Sequence, residues 1–143
     1  MLVYQALFEP DLIDGGFVIS FPGLGGYSQG DTEEEGRAMA LDLLRTLLHD
    51  RMKRGEEVLP GKVIRGSRYR LIALPVLEAA KVELYCALRA SGLRKVDLAR
   101  RMGIAKGNVD RLFDLRHASR MEQIEAAYSA LGLQLRVVVE KAA

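Results

Sequence analysis

The stretch FPGLGGYSQGDTEEE, from Phe21 to Glu35, contains the turn and the helix start that decide the fold of the first half of the chain. Residues 22–30 favour a bend followed by a short strand, because proline and glycine interrupt regular structure. A capping box then opens a helix: we expect Thr32 to accept a hydrogen bond from the amide of Glu35, while the Glu35 carboxylate reaches back. The glutamates between them suit the positive end of the helix dipole. This stretch therefore predicts a strand that leads directly into a well-defined helix.

Two strands precede this stretch, and a helix and a fourth strand follow it. Residues 2–9 are mainly apolar, and apolar residues alternate along 17–21, so each segment is expected to form a strand. The residues between them favour turns, which predicts a hairpin. The helix after Thr32 carries an apolar stripe and ends at Gly55. Residues 68–74 read as the fourth strand. The first half is thus expected to be a β-β-β-α-β unit. The stripe of its helix consists of Leu41, Leu44, Leu48 and Met52, widened by Leu43 and Leu47.

The second half reads as helical. Pro75 suits the first turn of a helix that ends at Gly92. Shorter helices are expected at about 95–102, 106–115 and 121–131, the last one capped by Ser119. Alternation over 133–140 predicts a terminal strand that pairs with its counterpart in a dimer or adds to the sheet. The predicted fold class is α+β, with a domain at 1–74 and a helical domain at 75–143 that ends in this strand.

The segment LARRMGIAKGNVDRL, from Leu98 to Leu112, has the spacing of a DNA-reading helix-turn-helix. Ala99 is small where the two helices touch, and Gly103 can take the positive φ of the turn. Residues 89–120 carry nine basic and three acidic side chains, which suits a polyanion. A four-helix bundle without a DNA role is the alternative interpretation.

Side-chain chemistry divides the candidate DNA contacts of this segment into two groups. Asn pairs with adenine and Arg or Lys with guanine, so Lys106, Asn108 and Arg111 are candidates for base contact. Gly107 and Asp110 share the exposed side of the same helix. Basic side chains that flank the motif are assigned to phosphates, which position a protein without reading sequence. These are Arg94, Lys95, Arg116, His117 and Arg120.

Composition and charge set limits on the class of protein. The chain has 143 residues, 49% apolar and 28% charged, the balance of a globular protein. Residues 1–75 contain nine basic and eleven acidic side chains, so the cationic character is confined to the second half. No run approaches the ~20 apolar residues of a membrane span, and the N-terminus lacks secretory-signal features, so we expect a cytoplasmic protein. Two thin cores also favour oligomerisation.

The first half resembles the HicB-type antitoxins of toxin-antitoxin systems. The similarity lies in Phe21-Pro22-Gly23-Leu24, in Gln29-Gly30-Asp31-Thr32, and in Glu34-Glu35 before a long helix that closes near Gly55 and Pro60. Gly36 stands where the family prefers alanine, and Gly25 replaces the usual proline. The segment 98–112 is similar to the lambda-repressor-like (Xre/Cro) class, although Lys95 and Ala105 replace its usual Gln and its Ser or Thr cap.

The resemblance implies a partial RNase-H-like sheet that binds and neutralises a small RNA-cleaving HicA-type toxin, while the helix-turn-helix represses the shared operon. On this basis the toxin surface is expected to include the hairpin edge together with Phe21, Pro22, Leu24, Tyr27 and Gln29. A homodimer or a larger even-numbered assembly is expected, because helix-turn-helix dimers bind paired half-sites. The operator, the exact toxin contacts and the stoichiometry stay open.

The residue pattern argues against an enzyme. RNase-H-type nucleases hold divalent metal with several carboxylates, but the first strand has no acid at its centre. His49 and His117 lie in different halves, with no cysteine and histidine cluster, so neither a metal nor a cofactor is expected. The alternative function is a stand-alone helix-turn-helix repressor with an N-terminal domain that senses a ligand or protein.

Overall fold

Four strands and five helices follow one another along residues 2–142, the part of the chain that the computed structural model describes. Their bounds are β1 Val3–Pro10, β2 Phe17–Ser20, β3 Tyr27–Gly30, α1 Glu33–Lys53, β4 Tyr69–Ala73, α2 Val76–Ser91, α3 Lys95–Met102, α4 Lys106–Leu112 and α5 Met121–Ala130. They form two units, which divide after Ala79. The α+β class and the order β-β-β-α-β at the start of the chain are confirmed.

The first unit is an antiparallel sheet in the order β3-β2-β1-β4 with α1 packed on one face. Tyr4, Ala6 and Phe8 are the buried positions of β1, and they alternate with half-buried ones. This period of two is what a sheet with one covered face requires. The sheet edges are β3 and β4. Both strands of the predicted hairpin, β1 and β2, lie inside the sheet, so the expectation that this hairpin offers a free edge is wrong.

The start of α1 shows the predicted capping box with one change of partner. The Glu35 amide donates to Thr32 Oγ1 at 3.1 Å, and the Glu35 carboxylate accepts from the amide of Asp31 at 3.3 Å. Strand β3 and helix α1 approach closely here: a Cβ added to Gly30 would lie 2.6 Å from the Cα of Gly36. Glycine at both positions therefore allows the backbones of β3 and α1 to lie this close together.

The second unit has a core of side chains from α2, α3, α4 and α5. Leu84, Leu98, Val109 and Ile124 are fully buried. The hydroxyl of Tyr128 donates to the carbonyl of Ala80 at 2.6 Å, which ties α5 to α2. Burial raises the pKa of Tyr128, with smaller contributions from the charges of Glu83 and Cys86. The phenol therefore stays a neutral donor.

The structure corrects the predicted limits of two helices. Helix α4 ends at Leu112 rather than 115, because the amides of Phe113 and Asp114 donate to carbonyls three residues back and so form turns instead of continuing the helix. Ser119 was predicted to cap α5, and this is wrong: Arg120 is the N-cap residue, and its side chain makes no capping bond. Ser119 is instead buried, and its hydroxyl donates to the carbonyl of Arg111 at 3.4 Å. The hydroxyl therefore donates to a distant carbonyl instead of accepting from a local amide, as a cap would.

The C-terminal strand expected over 133–140 does not form in the single chain. Residues 133–142 form no helix or strand, and Val137, Val138 and Val139 are exposed. The segment pairs with neither edge of the four-stranded sheet, and a strand without a neighbour lacks the hydrogen bonds that stabilise it. No helix within residues 2–142 combines the length and the apolar character that crossing a bilayer requires.

Candidate functional sites

The segment 95–112 forms two short helices joined at a left-handed glycine. Gly103 has φ +68°, as predicted for the turn, and the amide of Ile104 donates to the Ala99 carbonyl at 3.1 Å. Ala99 is buried on α3, and Val109 is buried on the inner side of α4. The opposite side of α4 is left exposed. The sequence placed both the turn and the exposed helix face correctly.

The start of α3 is stabilised by Asp97. Its carboxylate accepts from the backbone amide of Arg94 at 2.8 Å and lies 3.6 Å from the Arg100 guanidinium. The hydrogen bond from the Arg94 amide is the main reason that the pKa of Asp97 is lowered below its ordinary value of 3.8, and the Arg94 side chain adds to the effect. A carboxylate at a helix N-terminus is stabilising when ionised, so α3 depends on a charged Asp97.

An acidic side chain joins two of the predicted basic contacts. Asp110 lies 3.5 Å from the ammonium of Lys95 on α3 and 3.6 Å from that of Lys106 on α4. The Lys95 ammonium also lies 5.3 Å from the centre of the Phe113 ring, within cation–π range. Asp110 therefore holds the two lysines beside each other and offsets part of their charge.

The remaining predicted DNA contacts are placed at the surface of the second unit. Asn108 and Arg111 are exposed on α4, and a Cβ added to Gly107 would meet no atom within 4 Å. Asn108 also lines an open groove of about 750 Å³ that α3 and α4 form with α5. The flanking side chains Arg94, Arg116, His117 and Arg120 are all exposed.

A buried lysine that the sequence analysis missed holds the end of α4. Lys81 of α2 is fully buried, and its ammonium donates to the carbonyls of Arg111, Asp114 and His117 at 2.9, 2.7 and 2.7 Å. Carbonyls at the end of a helix lack partners in the helix and attract cations. The signal was present in the sequence, because Lys81 falls four residues after Leu77 on the apolar stripe of α2.

The residues predicted for toxin binding differ in their exposure to solvent. Phe21 is buried, Leu24 is half-buried, and Pro22, Tyr27 and Gln29 are exposed. Tyr27 and Gln29 alternate with Ser28 on the edge strand β3, so they share the sheet face that α1 does not cover.

A small cavity lies beside the turn at residues 21–24. The Arg51 guanidinium of α1 donates to the Gly23 carbonyl at 3.3 Å and so fixes the turn. The cavity, of about 150 Å³, lies between this turn and the segment 59–64, and Tyr4 and Gln5 contribute to its lining. Among residues 2–142, no three His, Cys, Asp or Glu side chains are grouped so that they could hold a metal ion.

Comparison with known proteins gives a consistent family. No family model matches the chain. The chain is 38% identical over 139 residues to antitoxin HicB 1 of Photorhabdus laumondii. The aligned region covers 96% of the chain and 86% of that relative. The chain belongs to the HicB antitoxin family. It is also 36% identical to antitoxin HicB of Pseudomonas fluorescens, over 81% of the chain and 80% of the relative. For antitoxin HicB of Escherichia coli K12 the identity is 33%, over 88% of the chain and 91% of the relative.

Both structural units take part in this similarity to HicB antitoxins. An alignment of 139 of the 143 residues must include the sheet unit, which ends at Ala79, as well as the helical unit that follows it.

Proposed function

We propose that this chain is an antitoxin that binds and neutralises a small HicA-type RNA-cleaving toxin with its first unit and represses its own operon with its second. The observation that carries the proposal is the similarity to HicB antitoxins across both units, in a chain whose α3 and α4 meet at a left-handed glycine. The first unit acts as a partial RNase-H-like domain without nuclease activity. The protein works by binding, and it needs no cofactor or metal.

The second unit binds operator DNA as a helix-turn-helix of the lambda-repressor-like class. Helix α3 braces α4, whose exposed Lys106, Asn108 and Arg111 reach base edges in the major groove. The open space around Gly107 allows α4 to approach the DNA closely. Flanking basic side chains, all exposed except the half-buried Lys95, contact phosphates on either side of the groove. These phosphate contacts are Arg94, Lys95, Arg116, His117 and Arg120.

Two arginine variants test this assignment by their different effects on sequence preference. Arg111→Ala removes an exposed guanidinium but keeps the carbonyl that holds Lys81, so the fold is preserved. A lost base contact costs about 1–3 kcal/mol of discrimination, so operator affinity falls about tenfold or more, while toxin neutralisation is unchanged. Arg116→Ala weakens binding to all sequences alike and lowers the salt slope by about 1.

A matched control for the arginine variants comes from the first unit. Arg54→Ala removes a guanidinium whose side chain is 60% exposed at the end of α1, and it should leave the operator shift unchanged. Loss of toxin neutralisation in Arg111→Ala would contradict the division of labour between the units. An unchanged operator shift in Arg111→Ala would remove that residue from the interface.

The first unit holds the toxin through the exposed side chains near β3 and through its acidic surface. Tyr27 and Gln29 lie on the uncovered sheet face, and Pro22 and Leu24 lie in the turn that Arg51 fixes. An RNA-binding toxin carries a basic surface, which an acidic partner complements. Co-expression with the product of the neighbouring gene tests this directly, and failure of the two proteins to co-purify would refute the antitoxin role.

A homodimer completes the DNA-binding form of the protein. Leu133 and the three consecutive valines 137–139 are exposed, and a second copy would cover them. A two-fold dimer presents two α4 helices to half-sites about one helical turn apart. Light scattering should show a dimer for the chain and a monomer for Val137→Asp combined with Val139→Asp. A monomeric unmodified chain would rule this out.

The second candidate is a stand-alone repressor whose first unit senses a small ligand. The cavity of about 150 Å³ beside residues 21–24 favours this function, because it is closed on two sides by the segments 21–24 and 59–64. The two functions differ in what lies next to the gene. A short neighbouring reading frame for a basic protein that co-purifies with the chain favours the antitoxin, and its absence favours the sensor.

A further inference from the structure

The turn between β1 and β2 displays two large apolar side chains to solvent. Leu12 is 94% and Ile13 is 92% exposed. The turn is ordered by Asp11, whose carboxylate accepts from the amides of Ile13 and Asp14 at 3.0 and 3.1 Å. The Asp11 amide also donates to the Gly16 carbonyl at 2.9 Å. Leu12 and Ile13 are therefore held out on a fixed backbone and make no contribution to the core.

An ordered apolar tip of this kind is well suited to binding. Large side chains on a preorganised turn lose little conformational freedom when they enter a pocket, so more of their burial is available as affinity. A few such anchors commonly carry most of the energy of an interface. The partner must therefore offer an apolar depression that receives two aliphatic side chains.

The charge around this tip defines the partner further. The chain has no Lys or Arg before Arg37, whereas the same stretch contains seven carboxylates. The turn lies beside the acidic start of α1, because a Cβ added to Gly16 would lie 2.8 Å from the Cα of Asp31. Within residues 2–142, Asp14, Asp31 and Glu34 have no ion-pair partner. The apolar tip is thus bordered by uncompensated negative charge.

We propose that the turn Asp11–Asp14 is the anchor by which this chain grips its toxin: Leu12 and Ile13 fill an apolar depression on a basic protein, whose cationic rim faces Asp14, Asp31 and Glu34. This inference rests on the proposed antitoxin function and adds a contact region to it. An anionic membrane does not fit, because the carboxylates would be repelled by the headgroups. A second copy of the same acidic surface would be repelled for the same reason.

Calorimetry on full-length variants tests the anchor, with the inactivated HicA-type toxin of the same operon as the probe. The variant is Leu12→Ser with Ile13→Ser, which should fold normally because both side chains lie outside the core. The matched control is Val63→Ser with Val76→Ser, which removes two apolar side chains that are 89% and 72% exposed elsewhere in the first unit. We expect the Kd for the toxin to rise about 30-fold or more in the variant and to change less than about threefold in the control.

A second pair of substitutions tests the charged border of the tip. Asp14→Asn with Glu34→Gln should lower the affinity for the toxin at low salt and reduce its salt dependence, because long-range attraction between the partners is screened by ions. Operator binding should be unchanged in every variant. A salt dependence equal to that of the unmodified chain would place the basic rim elsewhere and overturn that part of the inference.

The outcomes separate the inference from the function on which it rests. If the unmodified chain binds the toxin and the Leu12→Ser, Ile13→Ser variant binds within threefold of it, the anchor is refuted and the antitoxin role stands. If the unmodified chain does not bind the toxin, both are refuted. If the variant loses a dimer in light scattering while toxin affinity is retained, the tip contacts a second copy, and the assignment to a toxin is wrong.

Discussion

Replacement of Lys81 by methionine should loosen the end of α4 without touching its exposed face. The Lys81 ammonium is fully buried and donates to the carbonyls of Arg111, Asp114 and His117. Methionine has a similar length and can fill the space that the aliphatic part of Lys81 occupies, but it cannot donate a hydrogen bond. The Lys81→Met substitution therefore removes the donors and leaves the packing of the aliphatic part largely intact.

The size of the effect follows from two opposing contributions. Each of the three carbonyls keeps a backbone amide donor but loses a charge-assisted hydrogen bond, which contributes about 1.5–3 kcal/mol. Removing the ammonium also relieves the cost of burying a charge, which is several kcal/mol in real proteins. No buried charge is left behind, because the carbonyls that Lys81 contacts are neutral, so the net loss of stability is the difference between these two contributions. We expect the free energy of unfolding of the second unit to fall by about 3 kcal/mol.

Hydrogen exchange of the full chain, followed by mass spectrometry of peptides from 106–119, measures this locally. A loss of about 3 kcal/mol corresponds to about 100-fold less protection. Lys53→Met is the control, because Lys53 is exposed at the end of α1 and its loss should change stability by less than about 0.5 kcal/mol. Operator affinity should fall in Lys81→Met although every proposed DNA contact is intact. Protection within threefold of the unmodified chain would show that the ammonium contributes little to the stability of this turn.

Three other substitutions have expected outcomes that follow from single contacts. Gly30→Ala should lower the melting temperature of the first unit, because the new Cβ would lie 2.6 Å from the Cα of Gly36; Gly107→Ala, with open space around it, should not destabilise α4. Asp97→Asn should destabilise α3 near neutral pH in chemical denaturation. The pKa of Asp97 is lowered from 3.8 in the folded state, so the stabilisation that its carboxylate provides is complete above pH 3.8. It is lost as the pH falls through the lower, folded-state pKa. Plots of stability against pH for Asp97→Asn and the unmodified chain should therefore converge in acid. Asp110→Asn should raise operator affinity several-fold at low salt, because it removes a negative charge beside two lysines; weaker binding would mean that Asp110 acts mainly by orienting them.

Features set by neighbouring residues were predicted well from the sequence. The capping box at Thr32 and Glu35 and the left-handed Gly103 each depend on a hydrogen bond or a φ value within four residues. The bounds of α3 were predicted to the residue for the same reason. The exposed face of α4 followed from helical periodicity once Val109 and Leu112 were assigned to the core.

Features set by distant contacts were missed. Ser119 has the chemistry of a helix cap, but the carbonyl of Arg111 competes for its hydroxyl. Helix α4 ends at Leu112 because Lys81, about thirty residues earlier, stabilises the turn that follows. The charge of Lys81 suggested solvent, whereas its position on the apolar stripe of α2 indicated burial. A cation can be buried only where several acceptors surround it. Because the tertiary fold brings the three carbonyls together, the sequence alone could not decide between these two signals.

The C-terminal segment shows a different limit of sequence reasoning. Alternation of apolar residues specifies which side of a strand is buried, but it does not specify which edge supplies the hydrogen bonds. In residues 137–139 even the alternation fails, because Val137, Val138 and Val139 are all apolar and all more than 70% exposed in the single chain. Covering both sides of such a segment takes more than one neighbouring strand. The dimer that we propose must therefore supply a surface to each side of these valines, and the aspartate substitutions at Val137 and Val139 test the side that these two residues share.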